Sequence, residues 1–333
     1  MKTNRDPSPF LNRVVRSIVN GGALASCLIF GTPASAAIMF AYDYSENTPG
    51  VGFLDATDGA ARQAALTTAG NLFSNFFGGY FTQMGTITMR VTSTDDISSQ
   101  TLASAFSNFV NVPGTFGGGE VIQRKLINGT DLNGAALDGG VDVNWGYGWE
   151  LDPNANPGAK YDFYAALFHE FTHSLGFGSE AQGTPGHDRF NQGGEGSGSP
   201  GSWAKWDQFL TECTFGRAVI DGTSYEIDDI NFAGAKTDGG CFVGANAVSA
   251  NGGPVKLFAN PDQSHLDNIT FPVALMRPDR GVGLETRDYN AVEVGILTDL
   301  GYTRQPDNGV PEPTSVALLL AGLAGFVAYR RKA

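Results

Sequence analysis

Positive charge, cysteine and histidine are all scarce in this chain, and each scarcity narrows what it can do. Lys and Arg total 21 against 34 Asp and Glu in 333 residues. Many of the bases sit at the two ends. Residues 37–309 hold 14 Lys and Arg against 32 Asp and Glu, a net charge of −18. A body so acidic repels phosphate backbones and anionic lipid heads, which argues against nucleic acid as a partner. Solubility outside the cell is the plain reading of that acidity. Carboxylate-rich loops can also hold Ca2+, yet no twelve-residue loop of the EF-hand type occurs. Charged residues of both signs make up only 17% of the chain, whereas 45 residues are glycine, so long ordered loops should accompany the regular elements. No internal repeat is visible. With 41% hydrophobic residues, the chain can bury one large core or two close-packed subdomains.

Of the three cysteines, Cys27 falls in what reads as an export signal. Arg5, Arg13 and Arg16 precede the apolar stretch 17–30, and Ala34-Ser35-Ala36 is a small-x-small cleavage site, so the mature chain should begin at Ala37. Leu24-Ala25-Ser26-Cys27 can alternatively be read as a lipid-attachment site, but the apolar run continues through Leu28, Ile29 and Phe30. Cys213 and Cys241 are left. In an oxidising compartment they suggest one disulfide closing a loop of about 28 residues, with two free buried thiols as the alternative.

At the other end, Pro311-Glu312-Pro313 precedes the apolar run 316–329 and then Arg330-Arg331-Lys332. As a helix that run would be about 21 Å long, short of the roughly 30 Å of a hydrocarbon core. A marginal span behind a Pro-rich joint suits a transient anchor; a simple tail anchor is the other reading. The pattern resembles the PEP-CTERM sorting signal of Gram-negative bacteria, which an exosortase recognises and removes. An exosortase-type enzyme is thereby implied as a partner, and the cell surface, the extracellular matrix or the medium as the destination.

Between the ends, apolar periodicity predicts a helix over 57–77 ended by Gly78-Gly79, with Ala65, Ala69, Leu72, Phe73 and Phe76 on one face. Alternation at Ile87, Met89 and Val91 predicts a strand. A shorter helix is expected over 101–110, a strand over 120–127, and a half-buried strand over 141–145. Residues 161–175 read as a helix closed by Gly176. A Gly-rich loop covers 178–201, a short helix 203–210, and a final helix 288–300 ends at Gly301. The order predicts an α+β fold.

The chemistry concentrates in His169-Glu170-Phe171-Thr172-His173. Residues four apart share one helix face, so both imidazoles can reach one Zn2+. Glu170 stands beside the first histidine and can take a proton from water that the metal activates. Tyr164, Leu167, Phe168, Phe171 and Leu175 occupy the opposite face, as burial requires. The bland alternative is a core helix holding two satisfied histidines. A catalytic zinc needs a third protein ligand and an open position. Of the four histidines only His187 and His265 remain for it, with Glu180 or Asp188 as carboxylate alternatives.

His265 is followed 11 residues later by Met276, and at this point the chain resembles the leishmanolysin-like metzincins. In those zinc peptidases a long insertion separates the helix glycine from the third histidine. The matching pieces are His169 to Phe177, Ser264 to Asp267, Met276, and the closing Leu297-Thr298-Asp299-Leu300-Gly301-Tyr302. The resemblance implies zinc held by His169, His173 and His265, Glu170 as general base, and Met276 as a structural floor. It also implies a peptidase with a protein or peptide substrate, and a cleft between an N-terminal zincin subdomain (37–178) and an irregular C-terminal one (179–305). Residues 1–36 and 306–333 would be the signal and the sorting segment. Cys213 and Cys241 would staple the insertion.

There are departures too. The third histidine of the compact metzincin motif is replaced by Ser179, and Pro278 stands where several metzincins place a phenol. Whether Tyr289, Arg280 or zinc alone polarises a carbonyl is left open. Once the signal with Cys27 is removed no cysteine precedes the histidine helix, and 37–57 is too short for a folded pro-segment, which argues against a cysteine switch. A surface or matrix binding protein on the same scaffold is the alternative function, and a glycan-tailoring amidase a further one. A purely structural metal site would have no use for Glu170.

Overall fold

The structure is a computed structural model that describes residues 38–181, 187–190, 199–259 and 263–306. The expected export signal and the apolar run 316–329 lie outside the described residues. Among those described, no helix is long and apolar enough to cross a membrane.

The first half contains β1 (Ile38–Asp43), α1 (Gly59–Gly78), β2 (Gly85–Thr94), β3 (Ala103–Ser107), β4 (Thr115–Phe116), α2 (Val121–Asn128), β5 (Gly139–Asn144), β6 (Trp149–Glu150), β7 (Tyr161–Asp162) and α3 (Phe163–Ser174). Then follow β8 (Ser202–Trp203), β9 (Leu210–Glu212), α4 (Asp229–Asp238), β10 (Gly240–Phe242), α5 (Ala245–Asn251), β11 (Val255–Lys256) and α6 (Ala291–Asp299). The fold is mixed α+β. Its main sheet has the order β1-β2-β5-β3. Strands β1, β2 and β5 are parallel, while β3 runs antiparallel to β5 with Ala105 opposite Val141.

Helices α1 and α3 pack against each other and the sheet through a continuous aromatic stack. Phe73 of α1 lies 5.4 Å from Phe171 of α3, which lies 4.5 Å from Phe40 of β1. Fully burying such a side chain contributes roughly 1.5–3 kcal/mol. Along α1, Leu66 and Phe77 are buried with Ala65, Ala69 and Phe73, whereas Leu72, expected inside, is 36% exposed. One buried cluster runs from Ile38 to Tyr302 and takes in residues on both sides of position 178.

Three local expectations are corrected. Residues 103–107 form a strand and not a helix, because Ala103 and Ala105 turn inward while Ser104 turns out, and β5 supplies the ladder. Residues 121–128 form a helix and not a strand. There the β-branched pair Val121-Ile122 misled, since Ile122 and Leu126 share a buried face four residues apart and Gly129 ends the helix at φ +69°. The helix expected over 203–210 is only one 3-10 turn at Trp206–Phe209 between short strands.

The small sheet β9-β10-β11 is antiparallel. Cys213 follows β9 and Cys241 lies in β10. They form a disulfide with a Cα–Cα distance of 5.2 Å and a separation of 28 residues.

Candidate metal centre

Both ends of α3 are fixed from a distance. At its start the buried Asp162 carboxylate accepts from Ala165 N at 3.0 Å and from Arg287 Nη2 at 2.8 Å. At its end Tyr302 Oη donates to the Leu175 carbonyl at 2.9 Å. The chain then turns at Gly176, whose φ of +91° favours glycine. A Cβ there would also lie 2.6 Å from Glu120 Oε1 and 2.8 Å from Gln123 Nε2. Midway, Tyr289 Oη and Thr172 Oγ1 are 2.6 Å apart.

His265 arrives on a segment stitched at two points. Phe258 N donates to the His265 carbonyl at 2.9 Å, and Leu266 N donates to the Met276 carbonyl at 2.8 Å. Met276 is fully buried, and its own N–H donates to Glu293 Oε1 at 2.7 Å. Glu293 belongs to the capping box that opens α6, accepting from Asn290 N at 2.8 Å. The final helix thus holds the Met276 turn, and that turn holds the His265 segment.

The Nε2 atoms of His169, His173 and His265 face one another at 3.0, 3.1 and 3.2 Å. His169 Nδ1 lies 2.7 Å from the Leu275 carbonyl, and His173 Nδ1 lies 2.7 Å from the Phe177 carbonyl. A carbonyl only accepts, so each of these Nδ1 atoms carries the hydrogen and each Nε2 presents a lone pair. Burial first, then the cost of a further positive charge beside His173, Arg280 and His265, holds His169 well below the ordinary histidine pKa, against the Leu275 carbonyl. Burial, His173 and Arg280 do the same to His265. Both rings are therefore neutral.

Lone pairs pointing at one another at 3.0 Å repel, and a cation between them removes the conflict. Imidazoles about 2.0–2.1 Å from one tetrahedral Zn2+ would have nitrogens roughly 3.3 Å apart. The donor set and its spacing fit such an ion. Carbonyls on the far nitrogens of His169 and His173 supply the orienting bonds that metal-binding histidines require.

Glu170 Oε1 lies 4.0 Å from His169 Nε2, and Glu170 Oε2 accepts from Ala105 N at 3.1 Å. Burial pushes this carboxyl up to about 8, against the opposing pull of Arg280 and the Ala105 N–H. The three histidines and Glu170 open onto a cleft of about 880 Å3, with β3 along one wall. Asn144 N donates to the Leu102 carbonyl and Asn108 N to the Asp138 carbonyl, so even-numbered backbone groups of β3 face β5. Odd-numbered groups, those of Ala103, Ala105 and Ser107, face the cleft.

The other candidates lie elsewhere. His187 belongs to no group of potential metal ligands among the described residues. Glu180 lines the cleft but pairs with Arg189 at 3.4 Å. Asp188 is buried and accepts from Phe190 N and Ser202 N. Tyr289 is buried against Thr172, whereas Arg280 lines the cleft. Sequence reasoning missed the edge of β3, because it read that segment as a helix. It also missed Glu293, although Asn290-x-x-Glu293 before an apolar run is a legible capping box. The Leu275 and Phe177 carbonyls carry no side-chain signal.

Comparison with known proteins adds one finding. Residues 309–332 match the PEP-CTERM protein-sorting motif. The motif implies recognition by an exosortase-type enzyme and export in a Gram-negative cell. No curated protein and no solved structure matches the chain.

Proposed function

We propose that this chain is an exported zinc-dependent endopeptidase with a metzincin-like zincin fold. The observation that carries this reading is the convergence of three imidazole Nε2 atoms within 3.2 Å of one another, beside a largely buried carboxylate on the same helix. His169, His173 and His265 would hold the metal. Zinc bound there supplies a Lewis acid and lowers the pKa of a water from 15.7 toward about 7.

The remaining work falls to the chain itself. Glu170 takes the proton of the attacking water and returns it to the leaving nitrogen as the C–N bond breaks. That role needs the ionised carboxylate. Arg280 and the Ala105 N–H favour it, against the burial that favours the acid. The edge of β3 that faces the cleft, where side chains and no strand among the described residues meet the Ala105 N–H and the Ser107 carbonyl, argues for a peptide substrate. An extended chain can add to its odd-numbered N–H and C=O groups, which lays a peptide bond across Glu170. Such a peptide must take over the Ala105 N–H that Glu170 holds, or pair around it. Met276 acts as a buried floor whose backbone ties two parts of the site together. The sorting motif would carry the enzyme to the cell surface, the matrix or the medium after C-terminal processing.

Metal analysis of purified protein tests the ligand set. Close to one zinc per chain is expected, with His265→Ala losing most of it and His187→Ala keeping it. The opposite ranking would move the third ligand to His187 and sink the resemblance.

A further inference from the structure

Among the described residues lining the cleft, Arg280 is the only Lys or Arg. It follows the Met276 turn, and its Nη2 donates to the Leu275 carbonyl, the same carbonyl that orients His169. Nη2 also lies 3.2 Å from His169 Nδ1. Nε and Nη1 are shielded from solvent and make no hydrogen bond. The acids nearby are committed elsewhere. Glu285 pairs with Arg277 at 2.6 Å, Glu293 holds Met276 N and Asn290 N, and Glu170 is turned to Ala105 N.

A buried guanidinium with idle donors is costly, and such groups mark places that a ligand completes. Here the cation stands beside the first metal-site histidine, in the wall of the cleft. A backbone laid along β3 advances about 3.3–3.6 Å per residue, so a group one or two residues from the cleaved bond comes within reach. At the opposite end Glu120 and Glu180 line the cleft, and the Arg189 guanidinium beside them is already paired with Glu180 at 3.4 Å. Arginine matches a planar carboxylate in charge and in donor geometry.

Resting on the peptidase reading, we propose that Arg280 receives a carboxylate of the substrate next to the bond that is cut. That carboxylate comes from an acidic side chain or from a free C-terminus. The test uses zinc-loaded protein and pairs of peptides built on one that it cuts. One set exchanges Glu for Gln at each position flanking the cut. The other compares a free with an amidated C-terminus. A preference of at least about tenfold in kcat/KM for one carboxylate member is expected, and whichever set shows it identifies the source. Arg280→Gln should bring the ratio near one, and Arg280→Lys should keep part of it.

Wild-type protein that cuts peptides without discriminating either pair overturns the proposal while the peptidase reading stands. So does Arg280→Gln protein that loses rate equally on both members, since Arg280 would then serve only as a countercharge to Glu170. If no peptide is cut, the peptidase reading fails by itself, and calorimetry on zinc-loaded Glu170→Gln protein decides about Arg280. Tighter binding of the carboxylate member, abolished by adding Arg280→Gln, supports it; equal binding overturns it.

Discussion

A histidine can serve a metal only when its ring is neutral and the right nitrogen is bare; here burial sets the first condition and neighbouring backbone carbonyls the second. The spacing of His169 and His173 is plain in the sequence because one helical turn dictates it. The tautomers are not, because the Leu275 and Phe177 carbonyls come from other segments. The third histidine of the cluster was legible only through resemblance, since nothing local marks His265 over His187. Elsewhere in the cleft wall, burial pushes Glu120 from its ordinary 4.5 up to about 8, with the Lys205 N–H opposing. Asp207 is pushed up to about 7 by the same cause. A carboxyl raised in this way is stabilising while it is protonated. Its contribution is whole below the unfolded value near 4.5 and is lost as pH rises to about 8. Glu120→Gln, which stays neutral and can still accept from Lys205 N at the 2.8 Å contact, should therefore match wild type near pH 4.5. It should exceed wild type by on the order of a few kcal/mol at pH 8, measured by urea unfolding. A gap that stays constant across that range would contradict the assignment.

At the scale of elements, α3 is clamped by one stretch of chain through the Arg287–Asp162 pair, the Tyr289–Thr172 bond and the Tyr302 hydroxyl on Leu175. The same stretch reaches the Met276 turn through Glu293. Removing that carboxylate in Glu293→Ala should strip the buried Met276 N–H and the part-buried Asn290 N–H of their partner and cost about 2–4 kcal/mol. It should also weaken zinc binding roughly tenfold, because the Leu275 carbonyl loses its support. Unchanged stability together with unchanged zinc affinity would show that the turn does not depend on α6. Helices α1, α3 and α6 were legible because their apolar periodicity and their ends agree. Strand β3 and helix α2 were not. Their short Ala-rich and Val-Ile stretches take their conformation from β5 and from Gly129, which local pattern does not reveal.

Over the whole molecule, an acidic body with one disulfide and a sorting motif belongs to an exported protein. The Cys213–Cys241 bridge closes 28 residues and should contribute about 3.5 kcal/mol by restricting the unfolded chain. Peptide mapping without reductant should find the two peptides linked, and two alkylatable thiols in secreted protein would contradict this. The central claim concerns chemistry, and Glu170→Gln tests it most directly. The isostere preserves size and can still accept from Ala105 N, so zinc content and fold should be retained. It cannot take a proton, so the kcat of peptide cleavage should fall by at least 10²–10⁴-fold. A Glu170→Gln protein as active as wild type at equal zinc content would contradict the account.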